Sequence, residues 1–487
     1  NTLQAKVGGT WRNVATGVTY DAAGRMTALT HGNGITRSVS YDWDGRVESI
    51  AGSLSPQSLE YAWNAVDLIE TLTNHAYPSL SQGFDYDALS RLTDVVSASG
   101  NHGLDYDANG NRTTHTWGGA TDSYSVASTG NRLNSVSATG TRARSYTHDA
   151  AGHRTAETIA GNTINHVYDG FARPASRTQP AMTVQQSHGA TVSLPAGTWS
   201  YGHDGMGRRT FKRAPGNVLS RYLHGAEGNL LAETSPGGTS LTSIYLWLNG
   251  QPIGLVRGGQ VYHVHADHLG RPEILTNASK AIVWRAENLA FDRKVAMTSI
   301  GDYNLGFPGQ YYDAEGASWQ NWFRTYDGSV GRYTQSDPVG LAGGLNTYAY
   351  VDGNPTSLVD PLGLVPASGA MADCLSQIFG QPVSGVNVRV KTVVKNRFVT
   401  TRRNSIRLPP TLSVDEFFSN HNLVLHEYYH VLRQWNTGDL SRTAYVAEFL
   451  RNGSAEGNRF EDAAIAFAKS HVQALKDCLE QSEKCSK

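Results

Sequence analysis

Short runs in which apolar and polar residues alternate recur throughout residues 1–306. Arg37–Tyr41 and Ser243–Trp247 are two such runs. Alternation with a period of two predicts a β-strand that has one buried and one exposed face. Units of the form Asp-x-x-Gly separate the runs, and units of this kind are typical of tight turns. The pattern therefore predicts a succession of β-hairpins over this segment.

The turns belong to a repeat that begins with tyrosine and aspartate. Tyr20–Arg25 reads YDAAGR and recurs as YDWDGR at Tyr41–Arg46, and degenerate copies follow. A single hairpin cannot bury its own apolar face, but stacked neighbours bury a continuous stripe. The repeats therefore predict a β-solenoid in which the tyrosine ring packs, its hydroxyl finds a polar partner, and Asp and Arg of one unit pair across the turn.

One stretch of this segment has two interpretations. Tyr262–His268 holds three histidines and an aspartate, and on a strand His263 and His265 share a face, as a metal pair requires. Alternatively, His265–Arg271 is one more repeat unit with histidine in the tyrosine position.

The repeat stops at Leu364, and residues 365–487 follow a different pattern. Short alternating runs come first and predict strands. Ser413–Glu416 then forms a capping box, which opens a predicted helix that stops near Asn436. The C-terminal segment is therefore predicted to be a small α+β domain. The other predicted elements are strands at Gly385–Val394 and Asn404–Leu408 and helices at Thr443–Leu450 and from Asn458 to about Gln481.

Composition limits the function classes. A chain of 487 residues is expected to form two or more domains. Its net charge of −1 offers no electrostatic case for binding nucleic acid or an anionic membrane. No apolar run approaches the roughly 20 residues of a membrane helix. The first residues show no signal-peptide pattern and lie in mid-repeat, so we expect a longer polypeptide or a processed product. Cys374, Cys478 and Cys485 allow at most one intramolecular disulfide.

The predicted helix after the capping box carries His426-Glu427-Tyr428-Tyr429-His430. Four residues make about one helical turn, so His426 and His430 project from one face and can bind one zinc ion. Glu427 can then act as general base on a water molecule. The alternative is an ordinary amphipathic helix whose tyrosines pack in a core.

Glu461 is the predicted third zinc ligand, because a carboxylate from a later helix completes a His₂Glu site with one open position. The arrangement resembles the gluzincin layout of zinc metallopeptidases, although the fuller NExxxD pattern is missing. Other residues remain open for supporting roles: Glu456 and Glu448 as alternative ligands, Asp462 as a residue that orients a ligand, and Tyr445 or His471 at the oxyanion.

Two near-copies of one pentapeptide, DPVGL at Asp337–Leu341 and DPLGL at Asp360–Leu364, lie in the segment 307–364. Pro and Gly make each a good turn, and each aspartate can stabilise its turn through backbone N–H groups. The ordered motifs FPGQYYD, GRY, DPVGL, GGLN, YAYVDGNP and DPLGL resemble the C-terminal end of an Rhs (YD-repeat) core.

That resemblance implies a solenoid that curls into a hollow shell around a C-terminal toxin. It also implies an intramolecular aspartyl protease that cuts between Leu364 and Val365. Asp337 and Asp360 are the expected pair, because two close carboxylates share one proton, and Asp352 is the reserve. The expected partners are an immunity protein, a delivery apparatus such as a type VI-like spike, the remaining N-terminal part of the shell, and a protein substrate in the target cell.

The resulting organisation is a β-shell over 1–306, an Rhs-associated core end over 307–364 and a toxin domain over 365–487. The favoured function is a secreted toxin whose cargo is a zinc endopeptidase released by self-cleavage. One alternative is a toxin with another activity, although no Cys-x-x-Cys pair indicates a deaminase and His421-Asn422 alone does not indicate a nuclease. A non-enzymatic YD-repeat adhesion or structural protein is the other alternative.

Overall fold

The computed structural model describes residues 2–338 except 23, 187–188 and 226–227, then 340 and 344–364. Of the C-terminal segment it describes 375, 378–379, 387–390, 399–402, 405–409, 412, 417–418, 420–437, 439–440, 448 and 458–485. The chain divides into two units. The first comprises Asn1–Pro338 and Tyr348–Leu364, and the second comprises Val339–Thr347 and Val365–Lys487.

The first unit is built on one antiparallel sheet of 27 strands, so the prediction of a mainly β fold is confirmed. Each strand pairs with the next along the chain, except that β17 pairs with β20 across a separate hairpin formed by β18 and β19. The strands are β1 Thr2–Val7, β2 Thr10–Tyr20, β3 Met26–His31, β4 Thr36–Tyr41, β5 Val47–Ala51, β6 Leu59–Trp63, β7 Ile69–Asn74, β8 Gln82–Tyr86, β9 Leu92–Ser97, β10 His102–Tyr106, β11 Arg112–Trp117, β12 Ala120–Val126, β13 Leu133–Ser137, β14 Arg144–His148, β15 Arg154–Ile159, β16 Asn162–Tyr168, β17 Pro174–Gln179, β18 Met182–Gln185, β19 Thr191–Leu194, β20 Gly197–His203, β21 Arg209–Ala214, β22 Val218–His224, β23 Leu230–Thr234, β24 Leu241–Leu248, β25 Gln251–Arg257, β26 Gln260–Ala266, β27 Pro272–Thr276, β28 Ile282–Asn288 and β29 Arg293–Thr298.

The turn between β4 and β5 shows why the repeat has its residues. Asp42 accepts hydrogen bonds from the Arg46 backbone N–H at 2.9 Å and from Arg46 Nε at 2.6 Å. Gly45 has φ 83°, a left-handed conformation that glycine adopts without steric cost. The Tyr41 hydroxyl donates to the Met26 carbonyl at 2.8 Å. Each unit thus closes its own turn, while its tyrosine ties it to the preceding unit.

The same Asp–Arg closure recurs along the sheet, including in the ambiguous histidine stretch. Asp267 there accepts from Arg271 Nε at 2.7 Å. His263 and His265 are buried, and His265 Nε2 contacts Thr276 Oγ1 at 3.1 Å. Among the described residues, neither histidine belongs to a group of three or more side chains that could hold a metal ion. These contacts favour the repeat-unit interpretation. The other Asp–Arg closures are Asp21–Arg25, Asp87–Arg91, Asp169–Arg173 and Asp204–Arg208.

Several repeats carry histidine in the tyrosine position, and this leads to a prediction about pH. Burial lowers the pKa of His148, His203 and His224 to about 4, and nearby arginines act in the same direction. The unfolded chain keeps a histidine pKa of about 6.5, so it binds more protons than the folded protein between pH 6.5 and 4. The contribution of these three histidines to the free energy of unfolding is therefore highest above pH 6.5 and falls on acidification. We expect a variant with tyrosine at all three positions to lose roughly 5 °C less in Tm than the parent between pH 7 and 5.

Thermal melts of the full chain at several pH values measure this difference. Tyrosine suits these positions because it occupies them in the other repeats, where its hydroxyl has a backbone acceptor. Equal losses of Tm in both proteins would show that these three histidines do not govern acid sensitivity.

Within the first unit, residues 310–333 form a small four-stranded sheet. Its core contains Phe307, Trp319, Tyr326, Tyr333 and Tyr350, all buried. Buried ion pairs join this sheet to the large one, with Arg209 to Asp313 at 2.5 Å and Arg154 to Asp327 at 2.8 Å. Its strands are β30 Gln310–Asp313, β31 Ser318–Asn321, β32 Arg324–Asp327 and β33 Arg332–Tyr333, all antiparallel. Short 3₁₀ turns lie at Pro78–Leu80, Gly140–Arg142, Pro215–Asn217 and Val351–Gly353.

The described part of the second unit has a three-stranded sheet and helices that share one core. The first strand runs parallel to the third, and the second runs antiparallel to it. The core contains Phe417, Leu425, Tyr428, Val431 and Leu475, all buried. The elements are β34 Asn387–Val390, β35 Thr400–Arg402, β36 Ser405–Leu408, α1 His421–Tyr429, a π-helix His430–Trp435 and α2 Arg459–Cys485.

The helix with the two histidines has its own N-cap. Ser413–Glu416 lies outside the described residues, and α1 starts at His421. Asn420 is its N-cap, because its side chain accepts a hydrogen bond from the Leu423 N–H at 3.1 Å. Asparagine is among the best residues for this role. The strand β35 was not predicted.

Other expectations for this unit have mixed outcomes. The predicted helix from Asn458 is present as α2, whereas the helix predicted at Thr443–Leu450 lies almost wholly outside the described residues. Cys478 is disulfide-bonded, and Cys374 lies outside the described residues. In the described parts of the chain, no helix is both long enough and apolar enough to cross a membrane.

Candidate functional site

Asp337 and Asp360 lie together in the first unit, held by one arginine. Nη2 of Arg324 is 2.9 Å from Asp337 Oδ2 and 3.2 Å from Asp360 Oδ2. The three side chains are fully shielded from solvent, with exposures of 0%, 0% and 1%. The guanidinium that both aspartates share offsets the cost of burying two carboxylates. The structure thus brings the expected aspartate pair into one place.

Close backbone packing holds the second pentapeptide at this site. Gly363 has φ 69°, and a side chain there would place its Cβ 2.4 Å from the Asn321 carbonyl oxygen. A Cβ at Gly309 would lie 1.9 Å from the Pro361 carbonyl oxygen. Both positions therefore require glycine. Arg324 Nε also donates to the Gly363 carbonyl, which ties the pentapeptide to β32.

Asp360 is surrounded by hydrogen-bond donors. The Tyr333 hydroxyl donates to Asp360 Oδ2 at 2.7 Å, and Asn321 Nδ2 donates to the Tyr333 oxygen at 2.7 Å. Burial, with the neighbouring Asp360 charge, raises the pKa of Tyr333 well above its usual value. The Leu364 N–H donates to Asp360 Oδ1 at 2.9 Å. Asp360 therefore stabilises its own turn, as the turn interpretation holds, and fixes the residue before the expected cut.

The two other junction residues with expected roles are placed differently. Asp352 is exposed in the turn Val351–Gly353, where it has φ 52°. Val365 lies outside the described residues, so the peptide bond expected to be cut is described only on its Leu364 side. The two carboxylates that meet at Arg324 therefore lie on the described side of that bond, with Asp360 in contact with Leu364.

His426, His430 and Glu461 form a second cluster, in the other unit. Nε2 of His426 is 3.1 Å from Nε2 of His430, and Glu461 Oε2 is 3.2 Å and 3.3 Å from these two nitrogens. All three ligand atoms lie within 4.8 Å of one another. Two imidazole nitrogens and one carboxylate oxygen are a donor set that zinc accepts. The residues present fit the predicted His₂Glu site.

Helix geometry explains how the three side chains converge. His426 and His430 are one turn apart at the end of α1, and their rings meet edge to face at 4.7 Å. Glu461 stands in the first turn of α2. Asn458 precedes that helix and accepts from the Phe460 N–H at 3.0 Å, which stabilises its start. Tyr429 of α1 packs on Phe467 of α2 at 4.9 Å, so the two helices are held side by side.

The electrostatics of His430 follow from its surroundings. Burial by itself lowers the pKa of this imidazole, but the hydrogen bond and charge of Glu461, with the charge of Glu427, outweigh burial and raise it. Glu427 is itself buried, at 7% exposure. Two glutamates, Glu461 and Glu427, therefore act on the imidazole of His430.

The residues left open for supporting roles have separate positions. His471 is ten residues beyond Glu461 on α2, about 15 Å along the helix, and stacks on Phe467 at 4.0 Å. Glu448 lies 4.0 Å from Arg459 and is not part of the cluster of His426, His430 and Glu461. The Asp462 backbone N–H bonds to the Asn458 carbonyl. Glu456 and Tyr445 lie outside the described residues.

Several residues of these sites were not predicted from the sequence, among them Arg324 and Gln434. The segment 307–364 has two arginines, Arg324 and Arg332, and the sequence does not indicate which of them contacts the aspartates. Arg332 instead donates to the Asn131 carbonyl. Gln434 is four residues beyond His430 and contacts its Nδ1 at 2.7 Å. The i,i+4 spacing on a helix was the available signal.

Family models match two parts of the repeat region. The model "Teneurin YD-shell" matches residues 4–170, and the model "RHS protein" matches residues 261–294. The second match covers the histidine stretch that the repeat interpretation assigns to a YD-type unit.

Curated relatives are named as toxins or enzymes acting on DNA. The "Probable deoxyribonuclease RhsB" of Dickeya dadantii is 27% identical over 445 residues, which are 84% of this chain and 28% of that protein. The "Double-stranded DNA deaminase toxin A" of Burkholderia cenocepacia is 39% identical over 114 residues, 22% of this chain and 8% of that protein. The chain thus spans little more than a quarter of the first relative's length.

Solved structures show the same fold. The crystal structure of TcdB2-TccC3-Cdc42 has a TM-score of 0.58 with 19% identity, and the match covers 73% of this chain and 20% of that one. This likeness concerns the fold of the matched part, and the family-model matches show that the repeats resemble those of YD-shell and RHS proteins.

Proposed function

We propose that this chain is part of an Rhs-type polymorphic toxin whose C-terminal segment is a zinc-dependent endopeptidase. The observation that carries the proposal is the convergence of His426, His430 and Glu461 within 4.8 Å, with Glu427 beside the first ligand. Two histidines one turn apart, followed by a glutamate on a later helix, form the donor set of a hydrolytic zinc site.

Each residue has a distinct task in this proposal. The two imidazoles and the Glu461 carboxylate would hold the ion. A bound zinc ion supplies the Lewis acid for amide hydrolysis. Glu427 takes a proton from the attacking water and passes it to the leaving amine nitrogen as the C–N bond breaks. Its burial strengthens its interaction with charge that develops in the site.

Self-cleavage between Leu364 and Val365 is the proposed route of release. Water adds to the Leu364 carbonyl carbon, the C–N bond breaks, and a carboxyl group at Leu364 and an amine at Val365 result. Asp337 and Asp360 exchange the protons, one acting as acid and one as base. Their meeting at Arg324, and the contact of Asp360 with the Leu364 N–H, support this assignment.

The partners and destination follow from the toxin interpretation. Relatives of the chain carry toxin names, among them "Toxin protein Tse5" of Pseudomonas aeruginosa. We therefore propose delivery into a target cell by a secretion apparatus such as a type VI-like spike. The other proposed partners are a cognate immunity protein that blocks the zinc site, the remaining N-terminal part of the shell, and a protein substrate in the target cell.

A toxin that acts on DNA is the second candidate. Two relatives are named for a deoxyribonuclease and for a DNA deaminase. These two names differ in activity, so similarity to such relatives does not decide the activity of the C-terminal segment. A non-enzymatic YD-repeat protein is a third class, and it predicts neither hydrolysis nor toxicity.

Zinc content tests the proposed function. We expect the metal-depleted full chain to take up one zinc ion per molecule, and His430→Ala to lose it, because that change removes a buried ligand. His471→Ala is the matched control, since His471 lies on α2 away from the cluster. Zinc measured by mass spectrometry after dialysis gives the result. Equal zinc in the parent and His430→Ala, or none in a folded parent, would contradict the proposal.

A further inference from the structure

We infer that Gln434 is a positioning residue for the proposed zinc site: it selects the ring nitrogen of His430 that faces the metal and holds both ligand-bearing helices in register. This inference rests on the proposed His426–His430–Glu461 site. It concerns a residue outside the HEYYH motif, at the far side of the imidazole.

The hydrogen-bond pattern fixes the orientation of the Gln434 amide. Its Nε2 donates to the backbone carbonyl of Phe460 at 2.9 Å. A carbonyl oxygen can only accept, so the amide nitrogen must face Phe460 and the amide oxygen must face the other way. The oxygen Oε1 lies 2.7 Å from His430 Nδ1. An amide oxygen also only accepts, so Nδ1 of His430 must carry the hydrogen.

The tautomer of His430 follows from this contact. A neutral imidazole carries one N–H, so a hydrogen on Nδ1 leaves Nε2 with a free lone pair. Nε2 is the nitrogen that lies 3.1 Å from His426 Nε2 and 3.3 Å from Glu461 Oε2. Gln434 therefore directs the ligand lone pair of His430 into the cluster.

The same side chain links the two helices of the site. Phe460 directly precedes Glu461, so the Gln434 amide spans from the ring of one ligand to the backbone beside another. Gln434 is 5% exposed, and its amide oxygen and nitrogen each have a partner. A buried amide with both ends satisfied holds its geometry firmly.

Backbone geometry at this point is unusual. His430–Trp435 forms a π-helix, and the Asn436 N–H bonds to the Val431 carbonyl at 2.9 Å. Single π-turns inside helices often occur at functional sites. Here the π-turn contains both His430 and Gln434, so the wider turn and the amide contact belong to one local arrangement.

Gln434→Leu and Gln434→Glu separate the two contacts. Leucine has a similar volume but neither accepts nor donates. Glutamate keeps an acceptor for His430 Nδ1 and removes the donor to Phe460. Loss of a residue that orients a metal ligand typically lowers metal affinity about 10–100-fold. We expect Gln434→Leu to weaken zinc binding by about that factor, and Gln434→Glu, which loses only the contact with Phe460, to weaken it less.

Zinc affinity is measured by competition between the metal-depleted full chain and a chromogenic chelator. His430→Ala defines the background from the other histidines of the chain. If Gln434→Leu binds zinc as tightly as the parent, the positioning role is wrong, although the zinc site stands. If the parent itself binds no zinc that His430→Ala removes, the proposed function fails.

The tautomer provides a second readout that needs no metal. Nitrogen NMR of histidine-labelled, metal-free full chain, at a pH above the imidazole range, distinguishes an Nδ1–H ring from an Nε2–H ring. The His430 signal is identified by its loss in His430→Ala. We expect Nδ1–H in the parent and a gain of Nε2–H in Gln434→Leu. An Nε2–H ring in the parent overturns the inference, including the case in which Gln434→Leu fails to fold.

Discussion

Asp337→Asn is expected to leave the chain as one uncut polypeptide, whereas the parent separates after Leu364. The change replaces a carboxyl group that must give or take a proton during hydrolysis, and the new amide cannot do this. The fold should tolerate the change, because Arg324 keeps its ion pair with Asp360 at 3.2 Å. Intact mass spectrometry of freshly purified protein reads the result directly.

Asp352→Asn is the matched control for that experiment. Asp352 was the reserve candidate, yet it is exposed in a turn, while Asp337 is fully shielded beside Arg324. The turn conformation, with φ 52°, suits asparagine as well as aspartate. We expect this variant to be cut like the parent. Complete cutting of Asp337→Asn would remove Asp337 from the mechanism, and an uncut Asp352→Asn would move the role to Asp352.

Asp360 is a poorer first choice for mutation, although it is the other member of the pair. Its carboxylate accepts from Tyr333 and from the Leu364 N–H, so it also holds the turn before the cut. An asparagine there would disturb the position of Leu364 as well as the chemistry. Failure to cut in that variant would not separate the two effects.

Glu427→Gln is expected to keep zinc and to lose peptide hydrolysis by a factor of at least about 100. The amide has nearly the shape of the carboxylate but cannot take a proton from water. The three proposed ligands are untouched, because Glu427 is not among the group of His426, His430 and Glu461. The full chain is incubated with a bacterial proteome, and the new peptide ends that it produces are counted by mass spectrometry.

Glu448→Gln is the control for that measurement. Glu448 was an alternative ligand, and it lies near Arg459 outside the cluster. Its variant should keep both zinc and hydrolysis. Hydrolysis that survives in Glu427→Gln would disprove the general-base role, and loss of zinc in Glu448→Gln would reopen the choice of the third ligand. Hydrolysis absent from the parent, with zinc bound, would favour a different activity for the C-terminal segment.

The repeat shows what a sequence pattern can predict reliably. Asp42 and Arg46 are four residues apart, and the hydrogen bonds that close their turn form within that unit. Alternation along β4 and β24 was enough to place strands, because the period of two depends only on which face each residue presents. His426 and His430 share a face for the same kind of reason, through the pitch of one helical turn.

Helix boundaries were less predictable. Asn420 is the N-cap of α1 and was not predicted, whereas the predicted capping box at Ser413–Glu416 lies outside the described residues. Leu425, Tyr428 and Val431 lie in the core of the second unit, and their burial fixes where this helix lies.

The sequence by itself determined the repeated hairpins with their Asp–Arg turns, the histidine pair on one helix face and the two aspartates in matching pentapeptides. Only the tertiary structure decided that Arg324 joins Asp337 to Asp360 and that Gln434 links His430 to the start of α2. The first set depends on contacts between residues at most a few positions apart, which backbone geometry dictates. The second depends on which distant segments the apolar cores bring together, and no short-range period encodes that choice.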